Sequence, residues 1–192
     1  MGDICVFCAS SAKVDQSYLE EAYLLGEVLV ENGYGLKYGG GAVGSMGAVA
    51  NKVLELNGRV TGVIPYFMVQ VEWEHKGVEN MIHVETMAER KELLIKDIEA
   101  IVVLPGGTGT LEELFEVLSL KKLGQFTQPV ILVNTNGYFN ALNDFLNKMI
   151  DEKFMRPEHG ELWHIVDSVK EIPEALKNIP DWDEDALKFA AV

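Results

Sequence analysis

Ile101-Val102-Val103-Leu104-Pro105-Gly106-Gly107-Thr108-Gly109-Thr110-Leu111-Glu112-Glu113-Leu114-Phe115-Glu116-Val117-Leu118 reads as three joined pieces. The run from Ile101 to Leu104 is apolar at every position, the pattern of a strand buried on both faces. From Leu111 onward the apolar residues recur at helical spacing. Between them three glycines let the main chain approach a ligand without Cβ obstruction and give access to positive φ. A strand, a glycine turn and a helix start together present unpaired N–H groups and a positive dipole end to an anion. Thr108 and Thr110 add hydroxyl donors. Glu113, one turn into the helix, would repel a bare phosphate. It is therefore expected to face another part of a ligand, as a base or as an acceptor for a hydroxyl.

The same alternation runs outward in both directions. Strand patterns fall at 4–9, 35–38, 60–64, 82–84, 101–104, 129–134 and 163–166. Helical patterns fall at 17–32, from the glycine run 39–47 to 56, and at 87–96, 111–123, 138–152 and 172–176. Strands separated by helices need crossover connections. They therefore predict an α/β fold: a Rossmann-like, doubly wound parallel sheet with helices on both faces. One domain over residues 1–180 is expected, followed by an acidic, solvated tail at 181–192. Ligands in such folds bind beyond the carboxyl ends of the strands. Both glycine turns, 39–47 and 105–110, fall at that edge, so one pocket lined by both is expected. The connection 66–81 is polar, without a clear period, and long enough to suggest function.

With 192 residues, 48% of them hydrophobic, the chain can build one substantial core. A net charge of −14 argues against duplex nucleic acid or an anionic membrane as a partner. No apolar run approaches the ~20 residues needed to span a bilayer. Met1-Gly2-Asp3-Ile4 lacks the basic start of a signal peptide, which leaves a cytoplasmic location as the expectation. Cys5 and Cys8 have the spacing of a redox pair but lie within one strand, where residues three apart face opposite ways. His75, His83, His159 and His164 show no metal-binding spacing, so no metal site is expected.

Gly39-x-Gly41-x-x-Gly44 is formally a dinucleotide fingerprint. The strand that should end in a ribose-binding acid, Val60 to Pro65, supplies none, and no Lys follows Gly44 to make a Walker loop. No cofactor is expected, yet three glycines at a strand end suggest that Gly40 and Gly41 approach a ligand. Thr86 with Glu89 forms a capping box. Arg90 and Lys91 follow in the first turns of that helix, where cations oppose the dipole and a site would explain the conflict. The alternative is two solvated cations paired with Glu89 and Glu92. No nucleophile with its base is apparent. A phosphate cradle, an Arg/Lys pair and a carboxylate suit cleavage of a nucleotide's N-ribosidic bond, where a carboxylate can stabilise an oxocarbenium-like state.

Together, Tyr38-Gly39-Gly40-Gly41, Met87-x-x-Arg90-Lys91 and Pro105-Gly106-Gly107-x-Gly109-Thr110-x-x-Glu113 resemble the LOG family, cytokinin riboside 5′-monophosphate phosphoribohydrolases long labelled lysine decarboxylases. The resemblance covers roughly residues 4 to 155. It implies metal-free, cofactor-free hydrolysis of adenosine-type monophosphates to base and ribose 5-phosphate by a homodimer. It implies Arg90 and Glu113 as the catalytic pair, with Lys91, Gly107, Thr108, Gly109, Thr110, Leu111 and Glu112 as substrate binders. Ser119 stands where the family often has a hydroxyl, and Glu72 matches a binding carboxylate of the connecting loop. Ala88 departs from the Met-His-x-Arg-Lys of many members. The rival reading is a nucleotide-binding or regulatory module without turnover, against which the retained Glu113 argues. Finally, Leu111, Leu114, Phe115, Val117, Leu118, Leu120 and Leu123 make the helix at 111–123 apolar on more than one side. A two-fold dimer would bury that excess; the alternative is a helix sandwiched within one subunit.

Overall fold

The computed structural model describes residues 1–69, 73–180, 182, 183 and 185–189. Seven parallel strands form one sheet: β1 (Asp3–Phe7), β2 (Gly35–Tyr38), β3 (Val60–Pro65), β4 (Asn80–Val84), β5 (Ile98–Val103), β6 (Val130–Val133) and β7 (His164–Val166). Their order is β4-β3-β2-β1-β5-β6-β7. The helices are α1 (Gln16–Glu31), α2 (Gly44–Glu55), α3 (Met87–Ile95), α4 (Thr108–Lys122), α5 (Asn140–Asp151) and α6 (Ile172–Asn178).

Alternate residues of each central strand feed opposite cores, as the period of two requires. On one face Val6, Leu36 and Val102 pack with Leu25 of α1, Val49 of α2 and Ile172 of α6. On the other, Phe7, Ile101 and Val103 pack with Leu94 of α3, Leu114 of α4 and Leu146 of α5. The doubly wound sheet expected from the sequence is the fold. Cys5 and Cys8 belong to opposite cores, so their sulfurs face away from each other across the sheet. Burial first, and the charge of Glu113 second, push the Cys5 thiol well above its ordinary range.

From β1 the chain lays strands outward on one side as far as β4. It then returns through α3 to place β5 on the other side of β1. The order therefore reverses between β1 and β5, paired through Val6 with Val102 and Phe7 with Val103. A crevice opens beyond the carboxyl ends of strands at such a point.

The acidic end is not simply solvated where it is described. Trp182 and Ala186 are buried in the core under α4, and the Trp182 backbone N–H donates to the Thr127 carbonyl at 3.1 Å. The buried Lys121 ammonium lies 5.9 Å from the Trp182 ring centroid and donates to the Gln128 carbonyl at 2.7 Å. Among the described residues no helix is long and apolar enough to cross a membrane.

Candidate active site

A cleft of about 290 Å³ occupies the reversal point. The turn after β5 and the start of α4 give it Gly107, Thr108, Gly109, Thr110, Glu112 and Glu113. The loop after β1 gives it Cys8, Ala9, Ser10 and Ser11, while Met46, Met68, Met87 and Arg90 complete the wall. No side chain caps α4, whose N-cap is Gly107. The N–H groups of Thr108, Gly109 and Thr110, which lack intrahelical acceptors by position, therefore stand at the cleft with the positive end of the helix dipole.

The turn does not use positive φ: none of Gly106, Gly107 and Gly109 adopts it. Two different needs replace that expectation. A Cβ on Gly106 would sit 2.1 Å from Thr110 Oγ1, so this glycine lets the turn close against its own helix. A Cβ on Gly107 or Gly109 would meet nothing within 4 Å. There the missing side chain keeps the cleft open.

Arg90 is the deepest cation of the site, 3% exposed. The capping box that starts α3 is formed, with Thr86 Oγ1 accepting from the Glu89 N–H at 3.1 Å. One turn later Arg90 reaches under the end of β2, where Nη2 donates to the Gly39 carbonyl at 3.2 Å. Nη1 lies 3.1 Å from Met68 Sδ. Two solvated cations, the structural alternative for Arg90 and Lys91, are thereby set aside. Lys91 instead bridges α3 to Glu112 and Glu116 of α4, and those hydrogen bonds, Glu112 first, raise its pKa. The bridge ties the helix carrying Arg90 to the helix carrying Glu113.

Several residues expected at the ligand do not line this cleft. Gly40 and Gly41 are buried beneath the protein's own chain: the Gly40 carbonyl accepts from the His75 N–H at 3.0 Å, and Gly41 bridges to Glu74. The close approach at Gly39 is by Arg90, whose Nη2 would lie 2.3 Å from a Cβ there. Gly44, at φ +65, packs against the Ser10–Ser11 backbone. The second glycine turn thus braces the site rather than lining it, apart from Met46. Lys91 and Leu111 do not line the cleft, and Ser119 is exposed further along α4, donating to the Phe115 carbonyl at 2.7 Å. Ala88 is exposed and also off the cleft. Glu72 lies outside the described residues. Sequence reading missed Ala9, Ser10 and Ser11, which carry no local signal and reach the cleft because β1 lies beside β5.

A family profile described as "Possible lysine decarboxylase" matches residues 46–176. The cytokinin riboside 5′-monophosphate phosphoribohydrolase LOG7 of Arabidopsis thaliana is 40% identical over 97% of this chain and 86% of its own. A probable member from Oryza sativa, LOGL6, is 39% identical over 91% and 70%. The chain belongs to the LOG family. Arg90 and Glu113, 23 positions apart in the sequence, meet in one cleft. The fold reaches further than the LOG proteins. The molybdenum cofactor carrier protein of Chlamydomonas reinhardtii superposes with a TM-score of 0.69 at 21% identity, covering 93% of this chain and 97% of that one. A shared fold does not carry a shared chemistry, so function rests on the site.

Proposed function

We propose that this LOG protein hydrolyses the N-glycosidic bond of a purine nucleoside 5′-monophosphate, a cytokinin riboside or adenosine monophosphate, in the cytoplasm. The phosphate sits on the uncapped start of α4, and Glu113 faces the ribose. The C1′–N bond breaks with its electron pair leaving on the base, water oxygen bonds to C1′, and the water proton passes to the base. The products are free base and ribose 5-phosphate. Glu113 stabilises the positive charge at C1′ and orients the water, while Arg90 stabilises the negative charge on the departing base. Met46, Met68 and Met87 offer a soft apolar wall to the purine. The observation carrying this reading is the shared cleft of a buried arginine, a carboxylate and an uncapped helix start. The net charge of −14 supports a small-molecule ligand rather than nucleic acid or an anionic membrane as partner. Incubation with AMP and isopentenyl-AMP, followed by chromatography, should show free base; intact nucleotides after prolonged incubation would refute the reading.

The open space at Gly109 supplies a second measurement. Gly109→Ala meets no protein atom and favours the helix, so the melting temperature should hold or rise slightly. The methyl group protrudes where the phosphate binds, and AMP should weaken by about tenfold, more than adenosine. Equal losses for both ligands would mean that the turn does not hold phosphate.

The working unit in this reading is a homodimer. Leu114, Val117 and Leu118 of α4 are buried against the sheet, but Phe115 stays 36% exposed and Leu123 40%, with Met87 of α3 at 36%. Phe115, Ser119 and Leu123 recur every four residues and form an exposed stripe on α4. Burying it about a two-fold axis would carry Ser119 toward a second subunit. Sedimentation equilibrium at micromolar concentration should give a dimer, and Phe115→Glu should give a monomer with reduced turnover. A wild-type monomer that releases base at full rate would rule the dimer out.

A further inference from the structure

The PGG turn is held from outside by a residue of another loop. Tyr138, which follows β6, donates its hydroxyl to the Gly106 carbonyl at 2.6 Å. β6 lies beside β5 in the sheet, so the loops after them emerge side by side at the same edge. The Tyr138 ring is itself fixed, edge-on to Tyr18 at 5.8 Å and to Phe139 at 5.2 Å. Its loop is pinned as well. The Asn134 side chain accepts from the Phe139 N–H at 2.8 Å, and the Asn136 amide donates to Ser17 Oγ at 2.8 Å. The hydroxyl therefore reaches Gly106 from a rigid base.

The consequence follows from peptide geometry. In a planar trans peptide the C=O and the next N–H point in opposite directions. Fixing the Gly106 carbonyl toward Tyr138 turns the Gly107 N–H away from Tyr138. Gly107 lines the cleft and is the N-cap of α4, and its N–H meets no acceptor among the described residues. Glycines flank this peptide on both sides, so its plane is the least restrained in the turn, and neither side chain hinders a flip. We infer that Tyr138 is a positioning residue: its hydroxyl holds the Gly106–Gly107 peptide so that the Gly107 N–H joins the α4 N–H groups in binding the substrate's phosphate. The inference rests on reading the cleft as a nucleotide monophosphate site.

Tyr138→Phe removes the hydroxyl alone from a side chain that is 45% exposed. Calorimetric titration with ribose 5-phosphate should show affinity reduced about tenfold, the effect of one misaligned hydrogen bond to an anion. Adenosine, which lacks the phosphate, should bind as to the wild type. In turnover of AMP, KM should rise about tenfold with kcat within about threefold, because the phosphate is remote from the bond that breaks. The melting temperature should stay within a few degrees. Ribose 5-phosphate affinity within twofold of wild type, or an equal loss for adenosine, would overturn the inference. So would a wild type that does not bind ribose 5-phosphate. A wild type that binds it but releases no base from AMP would refute the hydrolase alone, and the Tyr138→Phe titration would still decide the role of Tyr138.

Discussion

Glu113→Gln should cut the release of base from AMP or isopentenyl-AMP by ~10² or more, with a smaller change in nucleotide affinity. The amide keeps the volume of the side chain and removes its charge. In the proposed mechanism that charge acts mainly when C1′ becomes positive, so its loss falls on kcat. Glu113 sits on α4 two positions beyond Leu111, and the next residue, Leu114, is fully buried in the sheet-facing core. The substitution leaves that packing untouched, and the melting temperature should barely move. The same variant separates the two classes of function. A binding module has no use for a carboxylate beside a phosphate cradle, so Gln would raise nucleotide affinity there by removing repulsion. Single-turnover rates set beside calorimetric affinities distinguish the cases. Unchanged base release would end the catalytic role of Glu113.

Most of the fold could be read from the sequence because a doubly wound sheet writes its strands as apolar runs. The reading failed where the run is broken. β5 begins at Ile98, three residues earlier than the apolar stretch suggests, because Glu99 interrupts it. Glu99 is exposed, and its carboxylate accepts from the Gly2 N–H at 3.1 Å, at the end of the sheet remote from the cleft. Half of the cleft lining was legible as well: Gly107 to Thr110, Glu112, Glu113 and Arg90 announced themselves by glycine, charge and helix position. The other half, Ala9 to Ser11, carries no such mark. It enters the site only because β1 lies beside β5, and strand order is a tertiary fact absent from local pattern. The glycines at 39–41 show a further limit. Sequence tells that something comes close to a glycine, but not whether a ligand or the protein does so. Here the neighbours are Arg90 and the chain at 73–75. Lys91 illustrates the same limit for charge, since its partners Glu112 and Glu116 lie 21 and 25 positions away on another helix.

That reassignment makes Gly39 the place where a methyl group outside the cleft should disable the chemistry. Gly39 does not line the cleft and does not use positive φ. A Cβ there would lie 2.3 Å from Arg90 Nη2 and 3.2 Å from Met46 Sδ. Both are the far ends of flexible side chains, so they can move aside without disturbing the strand. Gly39→Ala should therefore fold, with a melting temperature lowered by a few degrees at most. The guanidinium, however, cannot keep its hydrogen bond to the Gly39 carbonyl while a methyl group occupies its seat. In the proposed mechanism this charge faces the leaving base, so displacing it should lower kcat by ~10² to 10³, the loss usual for one misplaced electrostatic group. Arg90→Lys should fall in the same range, because an ammonium cannot reproduce a planar fork held against a carbonyl. Combining Gly39→Ala with Arg90→Lys should cost little more than either alone, since both remove one interaction. Kinetics and thermal melts of the three variants test this together. Near-wild-type turnover of Gly39→Ala would show that the seat of Arg90 under β2 is not what the reaction needs. Full additivity in the double variant would show that the two residues act separately.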